Sequence, residues 1–254
     1  MMLISNSEDM AAKKRHIGIL KTGSAPSGLI ATQGDYDHRF RSLLGIDLFT
    51  FRTYDVEHNV FPGSAIAADG WIITGSRHGV YDCHPWIAPL ERLIRNIQLA
   101  QRPLVGICFG HQIVAQALGG RAERATDWIA GPQTYRDLHG TEFVANAWHR
   151  DQVVSAPPSA TVLASGEGCP IAGLWYPGPI LTLQPHPEFD SSYLRGLCDE
   201  RGSVLPPNQQ ARVSALAAMC APSYKYLIPL LTTILQSRTS SIGTTPIAAA
   251  ADTS

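Results

Sequence analysis

The chain has 254 residues, 44% of them hydrophobic and 16% charged, which suits one well-buried domain and excludes a disordered chain. A net charge of −1 without any basic block gives no footprint for nucleic acid, and no apolar run approaches the ~20 residues of a membrane helix. The five cysteines are scattered, odd in number and without a CxxC pair, which argues against a disulfide framework and fits a reducing, cytoplasmic setting.

The opening "MMLISNSEDMAAKKRH" lacks the apolar centre of a signal peptide, and residues 1–15 are expected to be a tail. "HIGILKTG" (16–23) is a short apolar strand ending in a glycine turn. Residues 33–45 have helical spacing, with Phe40, Leu43 and Leu44 on one side, and residues 46–55 alternate as a strand does. "GWIITGS" (70–76) is an apolar run closed by a turn. Residues 84–100 form a helix with Trp86, Leu90, Leu93, Ile94 and Ile97 along one stripe, and Pro85 and Pro89 fit only near its start. "RPLVGICF" (102–109) is a buried strand, and "GHQIVAQALGG" (110–120) a helix stopped by two glycines. This alternation predicts a single α/β domain: a mostly parallel, doubly wound sheet with helices on both faces. "EFVANAWHRDQV", "ATVLASGEG" and "GPILTLQPHPEF" are strand-like without helices between them, which predicts a small antiparallel extension. Residues 208–236 are one or two helices interrupted near Pro222, and 237–254 is a polar tail expected to be disordered, leaving 16–236 as the domain.

The chemistry is concentrated in "GICFGHQ" (106–112). Cys108 stands where a strand becomes a helix, at the carboxyl end of a strand, where open α/β sheets bind ligands. The pattern Gly106-x-Cys108-x-Gly110 is that of a nucleophile elbow with cysteine in place of serine. Small neighbours two residues away on each side let strand and helix close around a strained turn. The helix that follows offers free N–H groups to an anion, and the Phe109 N–H is placed to stabilise an oxyanion. The competing interpretation is a thiol packed between sheet and helix, as buried cysteines often are.

A cysteine nucleophile needs a base and a group to orient it. His186 and Glu188 in "LTLQPHPEF" are two apart between prolines that forbid helix. In an extended segment such residues share a side, so Glu188 can hold one nitrogen of His186 and leave the other for Cys108. His149 with Asp151 is a rival pair, but no turn chemistry fixes it. His111 adjoins the elbow on a helix that turns it away, which suits a structural role. His78, Cys83 and His84 match no usual zinc spacing, so neither a metal nor any other cofactor is expected. Only four lysines occur (Lys13, Lys14, Lys21, Lys225), and without a Gly-Lys pair there is no phosphate-binding loop of the Walker type.

"GICFGHQ" followed by "QPHPEF", with "IITGSRHGVYD" (72–82) before and "AWHRDQV" (147–153) between, resembles the class I glutamine amidotransferase family, and most closely its free-standing members related to γ-glutamyl peptidases. The resemblance spans roughly residues 16–190 and implies a flavodoxin-like fold. It implies Cys108 as nucleophile, His186 as acid and base, Glu188 as orienter, and an oxyanion hole from the N–H groups of Phe109 and the Gly75-Ser76 turn. It also implies that Gln112, Trp148 and His149 contact the substrate. The segment after the elbow helix is shorter than in many relatives, which puts substrate and partner in doubt.

The activity so implied is hydrolysis of a γ-glutamyl amide through a thioester. If the leaving group is ammonia, it would pass to a separate synthetase. If it is a larger amine, the enzyme would be a γ-glutamyl peptidase acting on glutathione or its conjugates. A non-catalytic or repurposed member is the third possibility. The expected partner is a small γ-glutamyl molecule, with neither nucleic acid nor membrane. Pathway and oligomeric state stay open.

Overall fold

The computed structural model describes residues 13–219 and 224–237. Most of the two predicted tails, and the interruption expected near Pro222, lie outside the described residues. The elements in chain order are β1 (Arg15–Lys21), α1 (Ser27–Gln33), α2 (Tyr36–Leu44), β2 (Phe49–Asp55), β3 (Gly70–Ile73) and α3 (Ile87–Leu99). They continue with β4 (Leu104–Ile107), α4 (Phe109–Ala117), β5 (Arg121–Asp137), β6 (Glu142–Ser155), β7 (Thr161–Gly166) and β8 (Cys169–Tyr176). Last come β9 (Ile180–Leu183), α5 (Ser191–Arg201), α6 (Pro207–Met219) and α7 (Tyr224–Gln236).

The strands form one nine-stranded sheet in the order β2-β1-β3-β4-β9-β8-β7-β5-β6. The five from β2 to β9 are parallel, and β8, β7, β5 and β6 continue the sheet antiparallel. The inner parallel strands β1, β3, β4 and β9 are buried on both faces, so their residues divide between two cores. Leu20, Trp71, Ile73 and Leu104 pack against Leu90, Ile94 and Ile97 of α3 and Ile113 and Val114 of α4. Ile17, Ile19, Ile72, Val105 and Ile107 point the other way, against Phe40 and Leu44 of α2 and Leu227, Leu231 and Ile234 of α7. The two-residue period of the strands is the physical origin of this doubly wound layering.

Four elements were not predicted: α1, β5, β8 and α5. The largest, β5, spans 17 residues and pairs with β6 in a long hairpin. The hairpin brings Trp148 and His149 over the carboxyl ends of the parallel strands, beside the cysteine corner.

Candidate functional site

The cysteine corner is a strained turn. Cys108 has φ 55° and ψ −104°, outside the regions open to most L-residues. Two backbone bonds hold it there: its N–H donates to Leu183 O at 2.8 Å, and its carbonyl accepts from the Gln112 N–H at 3.1 Å. Both flanking glycines are required by close approach. A Cβ on Gly106 would lie 2.6 Å from Gly110 O, and one on Gly110 would lie 2.4 Å from Ile73 O. The Phe109 N–H begins α4 and so has no carbonyl within the helix to meet.

The His186 loop closes against this corner. A side-chain carbon at Gly75 would be 3.1 Å from His186 Cε1 and 3.8 Å from Cys108 Cβ, so all three residues meet at one point. His186 Nδ1 lies 2.8 Å from Glu188 Oε1, with both side chains almost wholly buried. Nε2 is the nitrogen left for Cys108. Burial works against a charged His186 ring, but the Glu188 carboxylate and Cys108 outweigh it, and the pKa of His186 rises above its ordinary value.

Several side chains without a motif position this loop. The Phe189 ring stacks on the imidazole at 3.9 Å and 3°. The His186 N–H donates to Asn146 O at 2.8 Å, and Asn146 Nδ2 donates to Phe189 O at 2.7 Å, tying the loop to β6. Arg39 Nε and one terminal nitrogen donate to Glu188 O at 3.1 and 3.0 Å, and the guanidinium also pairs with Asp190. Asp190 Oδ1 caps α5 by accepting from the Tyr193 N–H at 2.8 Å.

The Gly75-Ser76 turn is clamped from behind. The Thr22 hydroxyl lies 3.0 Å from Thr74 O and 3.2 Å from Gly75 O, and the Thr74 hydroxyl lies 3.1 Å from Gly75 O. With the Gly75 carbonyl held on that side, the planar trans peptide directs the Ser76 N–H to the opposite side. The elbow, the His186 ring and the Gly75-Ser76 turn edge a cleft of about 560 Å³ whose lining includes Cys108, His186, Gly75, Ser76, Gln112, Trp148 and His149, along with Tyr36, Trp128 and Arg201.

The other sequence candidates separate by environment. Gln112 lies on the cleft wall, with its amide nitrogen donating to Asp151 O at 2.8 Å and Gln184 Oε1 at 3.1 Å. His149 Nδ1 bonds the backbone of Asp151 at 3.1 Å rather than its carboxylate, which instead accepts from Tyr81 at 2.5 Å and pairs with Arg124. Burial, followed by the neighbouring His186 charge, pushes His149 down to about 3, so the rival pair is not assembled as a base. His111 is fully buried between Thr182 Oγ1 at 2.7 Å and Ile171 O at 3.1 Å, and burial lowers it to about 4. In the loop 78–84 it is Asp82, rather than the exposed Cys83, that gathers with His78 and His84, their ligand-type atoms lying within 4.8 Å. Among the described residues, these three are the ones that could take a cation. His78 Nε2 is already engaged by Glu57 at 2.9 Å.

Fold and cleft together define an α/β protein with a cysteine elbow facing a histidine–carboxylate pair. The chain belongs to the class I glutamine amidotransferase family, whose sequence pattern matches residues 39–195. It is similar to γ-glutamyl peptidase 4 of Arabidopsis thaliana, at 29% identity over 75% of this chain and 82% of that protein. It is also similar to a glutamine amidotransferase-like protein of Schizosaccharomyces pombe, at 30% identity over 77% of this chain and 88% of that one. Among solved structures, a glutamine amidotransferase from Methylobacillus flagellatus superposes with a TM-score of 0.69 at 17% identity, covering 89% of this chain and 97% of that one, and supports the fold. No helix among the described residues is long and apolar enough to cross a membrane.

Proposed function

We propose that the protein hydrolyses γ-glutamyl amides by acyl transfer to Cys108. The observation that carries this reading is the meeting of a strained elbow cysteine with a buried histidine held at 2.8 Å by Glu188. His186 takes the Cys108 proton, and the sulfur attacks the γ-carbonyl carbon. The carbonyl oxygen becomes an oxyanion, met by the N–H groups of Phe109 and the Gly75-Ser76 turn. The tetrahedral intermediate collapses, the C–N bond breaks, and the His186 imidazolium gives its proton to the leaving nitrogen. A γ-glutamyl thioester remains. Water, deprotonated by His186, adds to it and releases glutamate, and the sulfur leaves as thiolate.

The leaving nitrogen divides two versions of this chemistry. A cleft of about 560 Å³ is in the size range of small-molecule sites and extends past the nucleophile to Trp128, Trp148 and Arg201. That room favours an amine larger than ammonia, hence a γ-glutamyl peptidase, in keeping with the name of the Arabidopsis relative. In the amidotransferase version, ammonia passes to a separate synthetase. The test measures glutamate released by the purified protein from glutamine and from γ-glutamyl peptides, glutathione included. Preferential peptide cleavage supports the peptidase. Preference for glutamine, enhanced by an added synthetase, supports the amidotransferase. Release from no γ-glutamyl compound refutes both.

A further inference from the structure

Four arginines line the cleft: Arg77, Arg124, Arg150 and Arg201. Three are already engaged. Arg77 pairs with Glu57 at 3.3 Å, Arg124 with Asp151 at 3.4 Å, and Arg150 donates to Ala125 O at 3.0 Å and Thr126 O at 3.2 Å. Arg201 is different. It ends α5 half-buried in the cleft wall, and among the described residues no carboxylate, carbonyl or hydroxyl pairs with it. A guanidinium that lines a cleft without a protein partner is free to pair with a bound anion, and such a charge-assisted hydrogen bond is stronger than a neutral one.

Its position says which part of a substrate it would meet. The leaving nitrogen must face His186, which protonates it. Leu197, one helical turn before Arg201 on the same face of α5, shares an apolar cluster with Phe189, whose ring stacks on His186, so Arg201 belongs to the His186 side of the cleft. Tyr36, Phe189 and Leu197 form an apolar cluster on that side, and all three line the cleft. Burial raises the Tyr36 hydroxyl and the Arg201 charge opposes the rise, while Cys108 and Glu188 act on the same hydroxyl. Arg201, Tyr36 and Cys108 line the same cleft. Trp128 and Trp148, in contact at 6.3 Å between ring centres, complete a wall suited to apolar substituents.

We infer that Arg201 is the anion subsite for the leaving amine. The preferred substrates are then γ-glutamyl amides whose amine carries a carboxylate, as an amino acid or short peptide does. This rests on the hydrolase reading above, and the two can fail separately.

The first arm measures binding without turnover. Cys108→Ala protein is titrated calorimetrically with γ-glutamylglycine and with γ-glutamylglycinamide, which differ only in the terminal carboxylate. The free acid should bind about 10- to 100-fold tighter. Arg201→Gln in the same background should bring the two affinities together, and Arg201→Lys should keep part of the preference. Equal affinities in the Cys108→Ala protein, or a preference that survives Arg201→Gln, overturns the subsite. The second arm compares kcat/KM for the two compounds in otherwise wild-type enzyme. Arg201→Gln should collapse their ratio toward one. Equal loss on both compounds with the ratio intact would put Arg201 on the glutamyl half and overturn the assignment. Absence of cleavage in this arm refutes the hydrolase reading, while the binding arm still decides the subsite.

Discussion

At the scale of single residues, the account depends on how each side chain around Cys108 is held. Glu188→Gln keeps the shape of the orienting group and removes its charge, so it should lower kcat by about a thousandfold or more with the fold intact. Stopped assays alongside circular dichroism would check this. Thr22 touches no substrate in this scheme; its hydroxyl, 3.2 Å from Gly75 O, sets the peptide plane of the oxyanion turn. Thr22→Val should lower kcat roughly tenfold or more with KM little changed, and Thr22→Ser should restore most of it. A parallel fall in thermal stability without a kcat effect would make Thr22 merely structural. The candidate triad was legible because local chemistry marks it: two glycines around Cys108, two prolines around His186. Thr22, Asn146 and Arg39 were not. Their partners lie far along the chain, and a threonine, an asparagine or an arginine carries no motif to announce such contacts. Phe189 was nearer to view, since an aromatic one residue after Glu188 had only to be asked what it stacks on.

At the scale of elements, the strand–turn–helix from β4 to α4 is the unit that makes the sulfur available. Its backbones approach too closely for a Cβ at Gly106 or Gly110. Gly110→Ala would press a methyl against Ile73 O at 2.4 Å, with backbone rather than a flexible side chain in the way. We expect a loss of about 1–3 kcal/mol in urea unfolding and a fall in activity larger than that loss explains, because the elbow itself shifts. An unchanged unfolding midpoint would contradict the packing argument. The parallel strands and α2, α3 and α4 were legible, since apolar runs and 3.6-residue stripes reflect burial directly. The misses follow from weak burial. Much of β5 is exposed in its first half, so it shows little period-two pattern. The seven residues of α1 between Pro26 and Gly34 bury only Leu29, too little for a stripe. In α5 the buried Tyr193, Leu194, Leu197 and Cys198 do follow helical spacing, but charged and small residues between them obscure it.

At the scale of the whole molecule, the sheet assembles the site from distant segments and stores part of its acid sensitivity in two buried histidines. Burial lowers His111 to about 4 and His149 to about 3, whereas in the unfolded chain both titrate near 6.5. Above that pH both states are neutral at these positions and the full stability is present. As pH falls below it, the unfolded chain binds protons that the folded one refuses, and stability is lost progressively toward the folded values. Each histidine should remove roughly 2 kcal/mol between pH 7 and pH 5. His186, whose pKa is raised, is already protonated in the folded state at pH 7, so its contribution grows until the unfolded chain is protonated too, below about 6.5, and offsets a minor part of the loss. Urea midpoints across this range should fall with pH, and a flat profile would contradict the burial of the two rings. The doubly wound plan itself was legible from the order of elements. The reach of the β5–β6 hairpin over the cleft was not, because it depends on pairing between segments of weak pattern.

The most direct test of the central claim is glutamate release from γ-glutamyl compounds by the wild-type protein and by Cys108→Ala. The account predicts steady release by the wild type and none above background by the variant, with both proteins folded. Equal release by the two proteins, or none from any γ-glutamyl compound by the wild type, would contradict it.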